Sequence, residues 1–179
     1  TTTLFRSDVP DAVADGISTI FADASAHAKA EAINSVSDQT GATAEVTAAM
    51  PAATAPVSAG TLVAGDLVIN GVDIIPATAV LGQDSNNALI NAINAQIGLT
   101  GVAATKESGT LQLKAVDGRN IQVVTSANGE AISHFNGAAS DHVYMGRLQL
   151  HSTRTFILET TPLTEPGLVA LGLNGGAAV

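Results

Sequence analysis

The sequence predicts an α+β fold, β-rich antiparallel sheets and hairpins with two short duplicated helices, and three observations carry that expectation. The stretch GDLVINGVDI at 65–74 alternates apolar and polar residues around Asn70-Gly71, as half-buried strands do around a turn. The segment SAHAKAEAINSVSDQTGATA at 25–44 matches SNNALINAINAQIGLTGVAA at 85–104 without a gap. The phrase LQL occurs at 111–113 and again at 148–150, each time placing two Leu on one face of a short run.

Taken in order, the chain opens on TTTLFRSDVP without Met, as expected of an excised middle region or a processed chain. The first copy of the duplication follows. Ser25/Ser85, Ala28/Ala88, Ala32/Ala92, Ile33/Ile93, Asn34/Asn94, Thr40/Thr100, Gly41/Gly101 and Ala44/Ala104 coincide at a constant offset of 60. Small Ala28, Ala30 and Ala32 in the first copy predict a helix packed closely on its sheet. MPAATAPVSAG at 50–60, with its Pro and Ala, reads as an extended connector. Segment 65–74 is then two short strands joined by a type I′ turn, or one strand with a bulge. Asn and Gly tolerate positive φ, so no ligand is needed to explain them.

The second copy reads as a helix capped by Ser85 or Asp84, with Leu89, Ile93 and Ile97 in one stripe, stopped by Gly98 and Thr100-Gly101. VAATKES leaves as a strand. In GTLQLKAVDGRNIQVV a three-residue loop, Val116-Asp117-Gly118, predicts a hairpin pairing Leu113 with Ile121 and Leu111 with Val123. GRLQL at 146–150 and TRTFILET read as closing strands, and LTEPGLVALGLNGGAAV as a loop or short helix with a loose tail. These elements divide the chain into a first helix-strand half at 1–58, a strand-helix-hairpin unit at 59–127 and closing strands at 128–179.

Composition narrows the function. A chain of 179 residues suits one domain or two very small ones, and its 46% hydrophobic residues are led by Ala with only 3% aromatic, so the core must be Val, Ile, Leu and Ala. Seven Lys and Arg against sixteen Asp and Glu give a net charge of −9, a field that repels polyanions and argues against nucleic acid. No Cys is present, which excludes disulfides and thiolate metal sites. No apolar run approaches the roughly 18 residues of a membrane span.

The chemistry-bearing residues have plain roles. His27, His134, His142 and His151 match no ligand spacing; only His134 with Asp141-His142 suggests a cluster, and surface or satisfied histidines are the expectation. Asp66, Asp73, Asp84 and Asp117 are the candidate carboxylates, and each sits beside a strand, a cap or a turn. No nucleophile elbow, zinc-binding helix or phosphate loop occurs. No catalytic residue, metal or cofactor is therefore assigned. The Ser/Thr-rich stretches TSANGE and HSTRT leave room for O-linked glycans.

GDLVINGVDI, a capped helix containing LINAIN, TGVAA and GTLQLKAVDGRNIQV stand in an order that resembles the "IN" motif of bacterial flagellins and hook-associated proteins, and AKAEAINSVSDQTGATAEV resembles the segment that precedes it. The resemblance covers roughly residues 25–125. It implies a structural role, the outer, surface-exposed and antigenic middle of an extracellular filament subunit, with Ile69, Asn70, Gly71, Ala92, Ile93, Asn94, Asp117, Gly118, Arg119 and Asn120 as scaffold. The helical ends by which flagellins polymerise are absent from these residues, so contacts with other flagellin subunits are expected through regions outside this chain. Three rivals remain: a filament cap protein, an adhesin gripping a ligand through loops 75–85 and 133–142, and an enzyme, which would need a deep pocket with perturbed carboxylates.

Overall fold

A computed structural model describes residues 9–152. The strands expected in TRTFILET and the loop or helix expected at 163–179 lie outside the described residues. Within them the fold is α+β and all its strand pairs are antiparallel.

The duplication is visible atom by atom. In the first copy α1 (Ala26–Asn34) and α2 (Ser37–Thr40) precede β1 (Ala42–Thr47); in the second, α3 (Ala88–Ala95) and α4 (Ile97–Thr100) precede β4 (Ala103–Glu107). Gly41 at φ 70° and Gly101 at φ 68° end the short helices, where a left-handed residue frees the chain to turn. Thr40 donates its hydroxyl to the Val36 carbonyl and accepts the Ala42 N–H; Thr100 does the same with Gln96 and Val102. The Asn34 amide donates to the Ala44 carbonyl (2.9 Å) and accepts the Ala44 N–H (2.8 Å), and Asn94 repeats both bonds on Ala104 at 3.0 and 2.8 Å.

The helix starts differ. Ser25 caps α1 by accepting the Ala28 N–H. In the second copy the cap is Asp84, not Ser85: its carboxylate oxygens accept the Leu89 and Ile90 N–H groups, and Asn87 takes a left-handed turn to bring them there. Leu89 and Ile93 are fully buried, but Ile97 is 48% exposed. The stripe stops early because Gln96 leaves helical geometry and turns Ile97 outward. Gly98, an expected stop, lies inside α4.

β4 pairs with β5 (Thr110–Lys114), Ala104 facing Leu113, across a two-residue turn at Ser108-Gly109 with φ 50° and 79°. β1 pairs with β8 (Arg147–Ser152), Ala44 facing Leu150. The registers are equivalent, so the repeated LQL phrases occupy the same place in both ribbons. Residues 48–146 stand where the second ribbon has its two-residue turn, and the second copy is therefore nested inside the first.

The remaining sheet runs β3-β2-β6-β7, from β2 (Leu67–Ile69), β3 (Val72–Asp73), β6 (Ile121–Thr125) and β7 (Ser140–Tyr144), with α5 (Ala127–Ser133) between the last two. Asn70 and Gly71, at φ 48° and 78°, form the two-residue turn between β2 and β3, the first of the two arrangements expected there. The hairpin expected across Asp117 does not form. β5 is filled on one edge by β4 and on the other by residues 49–53, with Ala53 donating to Leu111 and Leu113 to Pro51, while β6 lies between β2 and β7. Alternation places side chains on faces but does not choose a partner strand, and here both edges of β5 were taken. The start of the expected connector is thus extended along β5 through isolated bridges, and there Pro51, which has no N–H, contributes only its carbonyl.

A main core gathers Leu67, Ile69, Leu89, Ile93, Leu111, Leu113, Ile121 and Val123, all fully buried. A smaller one under the first ribbon holds Ala26, Ala30, Ala44 and Leu148. With so few aromatic side chains in the cores, the Asn clips are expected to matter: Asn94→Ala strips both backbone groups of Ala104, a residue only 4% exposed. It should cost about 2–3 kcal/mol, read as a lowered urea midpoint with unchanged m-value.

Candidate functional site

The residues singled out from the sequence come together in two places. Ile69 and Ile93 are core, Ala92 packs against the core from the helix, and Asn94 clips α3 to β4. Asn70 and Arg119, the latter held by Asp117, meet on one acceptor, the carbonyl of Thr100. Asn70 Nδ2 donates to it at 2.8 Å and Arg119 Nη1 at 3.3 Å. Asn70 also accepts the Gln122 N–H through its side chain at 2.8 Å, and donates its own N–H to the Gln122 carbonyl. The hairpin turn, the end of α4 and the start of β6 are thereby tied by one amide.

Arg119 reaches Thr100 because Asp117 holds it: Asp117 Oδ2 accepts from Nε and Nη2 at 2.8 and 2.7 Å, and Oδ1 accepts the Arg119 N–H. The guanidinium lies over Gly101, where a Cβ would run into it. On the other side the same run meets the first copy. The Asp117 carbonyl accepts His27 Nδ1 at 2.9 Å, and the Gly118 carbonyl accepts the His27 N–H at 3.4 Å. Asn120, fully buried, donates its amide to the Ile20 and Phe21 carbonyls at 3.0 Å each and its N–H to Ser18 Oγ. Residues 117–120 therefore form a polar joint between the two copies. Gly118, at φ +78°, fits there because a Cβ would strike Val46.

The other charged groups are similarly occupied. Asp66 accepts Ser126 Oγ, Asn128 Nδ2 and the Val63 N–H, which locks the start of α5 to the approach of β2. Gly129 permits that contact, since a Cβ would meet the Asp66 carbonyl. Glu130 accepts the Asn136 and Gly137 N–H groups, closing the loop after α5. Asp84, besides its capping, faces Lys106, which also donates to the Asp84 carbonyl. Asp73 accepts the Gly65 N–H. The stretch TSANGE is the start of α5 rather than a free loop: Thr125 is buried, and Ser126 is both cap and ligand of Asp66.

The histidines are dispersed. His27 sits at the joint with Glu31 at 3.3 Å, His134 meets Ser58 Oγ at 2.9 Å, His142 stacks on Tyr144, and His151 faces Glu45 on the neighbouring strand at 3.6 Å. Among the described residues no group of three His, Asp or Glu is placed to hold a metal ion. An open cleft of about 550 Å³ lies where the chain crosses between the copies, lined by Lys29, Met50, Tyr144, Met145 and Arg147, and none of the four candidate carboxylates lines it. The loops at 75–85 and 133–142 are braced internally, the first by Asn86 on Ala79 and Leu81, the second by Glu130 and Asn136.

Sequence reasoning did not find the acceptor Thr100, the partners Ser18 and His27, or Asp15, which accepts from Ser18, Ser25 and Ile17. For Thr100 the signal was present in the Thr40/Thr100 identity.

No family model matches the chain. Flagellin B of Helicobacter pylori is 39% identical over 105 residues, 56% of this chain and 20% of that protein. Flagellin A of Helicobacter pylori is 36% identical over 112 residues, 60% of this chain and 21% of that one, and Flagellin A of Helicobacter felis 36% over 108 residues, 57% and 20%. The chain matches about a fifth of the length of these relatives.

The carboxylates carry a pH prediction. Asp66 is held below its ordinary value of 3.8 by the bonds from Ser126, Val63 and Asn128. Burial alone would raise Asp117, but the Arg119 bonds and charge outweigh it and leave that carboxyl lowered as well; at Asp15 the Ser25 and Ser18 bonds outweigh burial in the same way. A carboxyl lowered in the folded chain stabilises it above the ordinary value, and the contribution is lost as pH falls through the lowered one. The urea midpoint should hold from neutrality to about pH 5 and drop below about pH 4; Asp66→Asn should lower the neutral value and flatten the drop. At the joint, Gly118→Ala should cost at least about 1–2 kcal/mol, because positive φ and overpacking add, again read from the urea midpoint.

Proposed function

We propose that this chain is the outer, surface-exposed middle region of a bacterial flagellin, a structural part of the extracellular flagellar filament that carries antigenic surface and supports motility. The observation that carries the reading is the 39% identity to Flagellin B over 105 residues. The "IN" residues support it as scaffold: Asn70 and Arg119 share one acceptor, and Asn94 clips helix to strand. Contacts with other flagellin subunits run through parts of the polypeptide outside this chain. The halves at 1–58 and 59–127 and the strands at 128–179 are units of that outer region. Any O-linked sugar sits on exposed hydroxyls, not on Ser126.

The acidic surface keeps neighbouring outer regions apart in a crowded assembly, where like-charged faces repel. Immunogold electron microscopy of the source bacterium with antibody against this chain should label filaments along their whole length. Label confined to filament tips would assign the chain to a cap protein, and label away from flagella would assign it to an adhesin.

A further inference from the structure

All the sulfur in the chain is found at one place. The sequence has no Cys and two Met, Met50 and Met145. Far apart in sequence, they stand on the two passages by which the chain enters and leaves the nested copy. Met50 lies three residues past Thr47 and Met145 two before Arg147, and Thr47 and Arg147 face each other as the last rung of the β1–β8 ribbon. The passages touch there, since a Cβ on Gly146 would meet the Thr47 carbonyl at 2.8 Å. Both methionines line the open cleft at this crossing.

Methionine is among the residues most often buried, yet Met50 is 48% exposed and Met145 45%. Neither belongs to either core. The passages are held by their neighbours instead: the Ala49 and Pro51 carbonyls accept the Ala115 and Leu113 N–H groups, while Tyr144 pairs with Ile121 and donates its hydroxyl to the Phe135 carbonyl. A change at either sulfur therefore leaves the packing in place. The cleft also suits an oxidised sulfur. Among the described residues its charged lining is Lys29 and Arg147, both cations, with no carboxylate. A thioether is a weak acceptor, whereas a sulfoxide presents a polar oxygen, for which an ammonium and a guanidinium are donors.

We propose that the cleft at the crossing is an oxidant-accepting site, where Met50 and Met145 reduce hydrogen peroxide while the fold stays closed. The sulfur of each thioether attacks one peroxide oxygen and the O–O bond breaks. The departing hydroxide takes the proton of the transferred oxygen and leaves as water. Each sulfur is oxidised by two electrons to a sulfoxide, and each peroxide is reduced to water. With no Cys to compete, these are the only two sulfurs in the chain that an oxidant can reach. This chemistry goes beyond the filament reading and stands or falls separately from it.

Hydrogen peroxide added to the folded chain at neutral pH, followed by mass mapping of its peptides, tests the proposal. The expected result is a gain of one oxygen at Met50 and one at Met145. Unfolding the chain in urea should speed that uptake by no more than about threefold, because both side chains are already half exposed. The urea midpoint should be the same before and after both are oxidised. Met50→Leu and Met145→Leu, which keep the side-chain volume, should each remove one oxygen, and the two together should abolish sulfoxide formation; if a variant does not fold, the map of the unaltered chain decides. Methionines that resist peroxide until urea is added, or that react faster there beyond that ratio, overturn the proposal. So does a lowered urea midpoint in the oxidised chain, which would mean that the thioethers hold the fold.

Discussion

The side-chain amide of Asn94 holds both backbone groups of Ala104, and much of the structure depends on that reciprocal clip. It fixes α3 at one distance and one rotation over β4, so that Leu89 and Ile93 enter the core and the ribbon's outer edge is capped at Ala104 by the same two bonds. Asn34 does this for the first ribbon, where the helix face is Ala and dispersion contacts are fewer. Identical chemistry at both sites sets the same strand register, and the shared register makes the nesting of one copy in the other geometrically simple.

A chain without Trp, and with only four Phe and one Tyr, has few bulky anchors for its loops. Polar clasps take that role. Asp66, Glu130 and Asp15 each gather several donors from a loop and a helix start, and residues 117–120 join the two copies through carbonyls and amides rather than through an apolar seam. Buried polar groups of this kind stabilise only when their partners are all in place. That requirement makes the fold specific about glycine at the joint: Gly101 and Gly118 leave room for a guanidinium and for Val46.

Local features were legible in the sequence, and pairings were not. The Asn70-Gly71 turn, the strand after Gly101 and the constant offset between copies follow from residue types that allow few alternatives, such as left-handed glycine and repeated Leu or Ile spacing. The hairpin at Asp117 failed because two alternating runs joined by Asp-Gly satisfy the hairpin pattern equally well when each run already has other partners. The pairing of β1 with β8 spans a hundred residues of intervening chain, and no local preference encodes it. Asp84 displaced Ser85 as the cap because the left-handed Asn87 brings the carboxylate under the helix. The clasp at Thr100 escaped notice because a backbone carbonyl carries no side-chain signature.

Nesting also dictates how the molecule bears load. The chain enters through β1 and leaves through β8, with Ala42 beside Ser152 at one end and Thr47 beside Arg147 at the other. A tension applied at Ala42 and Ser152 themselves, past the joint that ties residues 18–27 to 117–120, acts first on that terminal pair and peels the ribbon open one rung at a time. Until the last rung parts, residues 48–146 lie outside the line of force. The inner copy is thus mechanically shielded by the outer one, and the β1–β8 ribbon acts as its fuse.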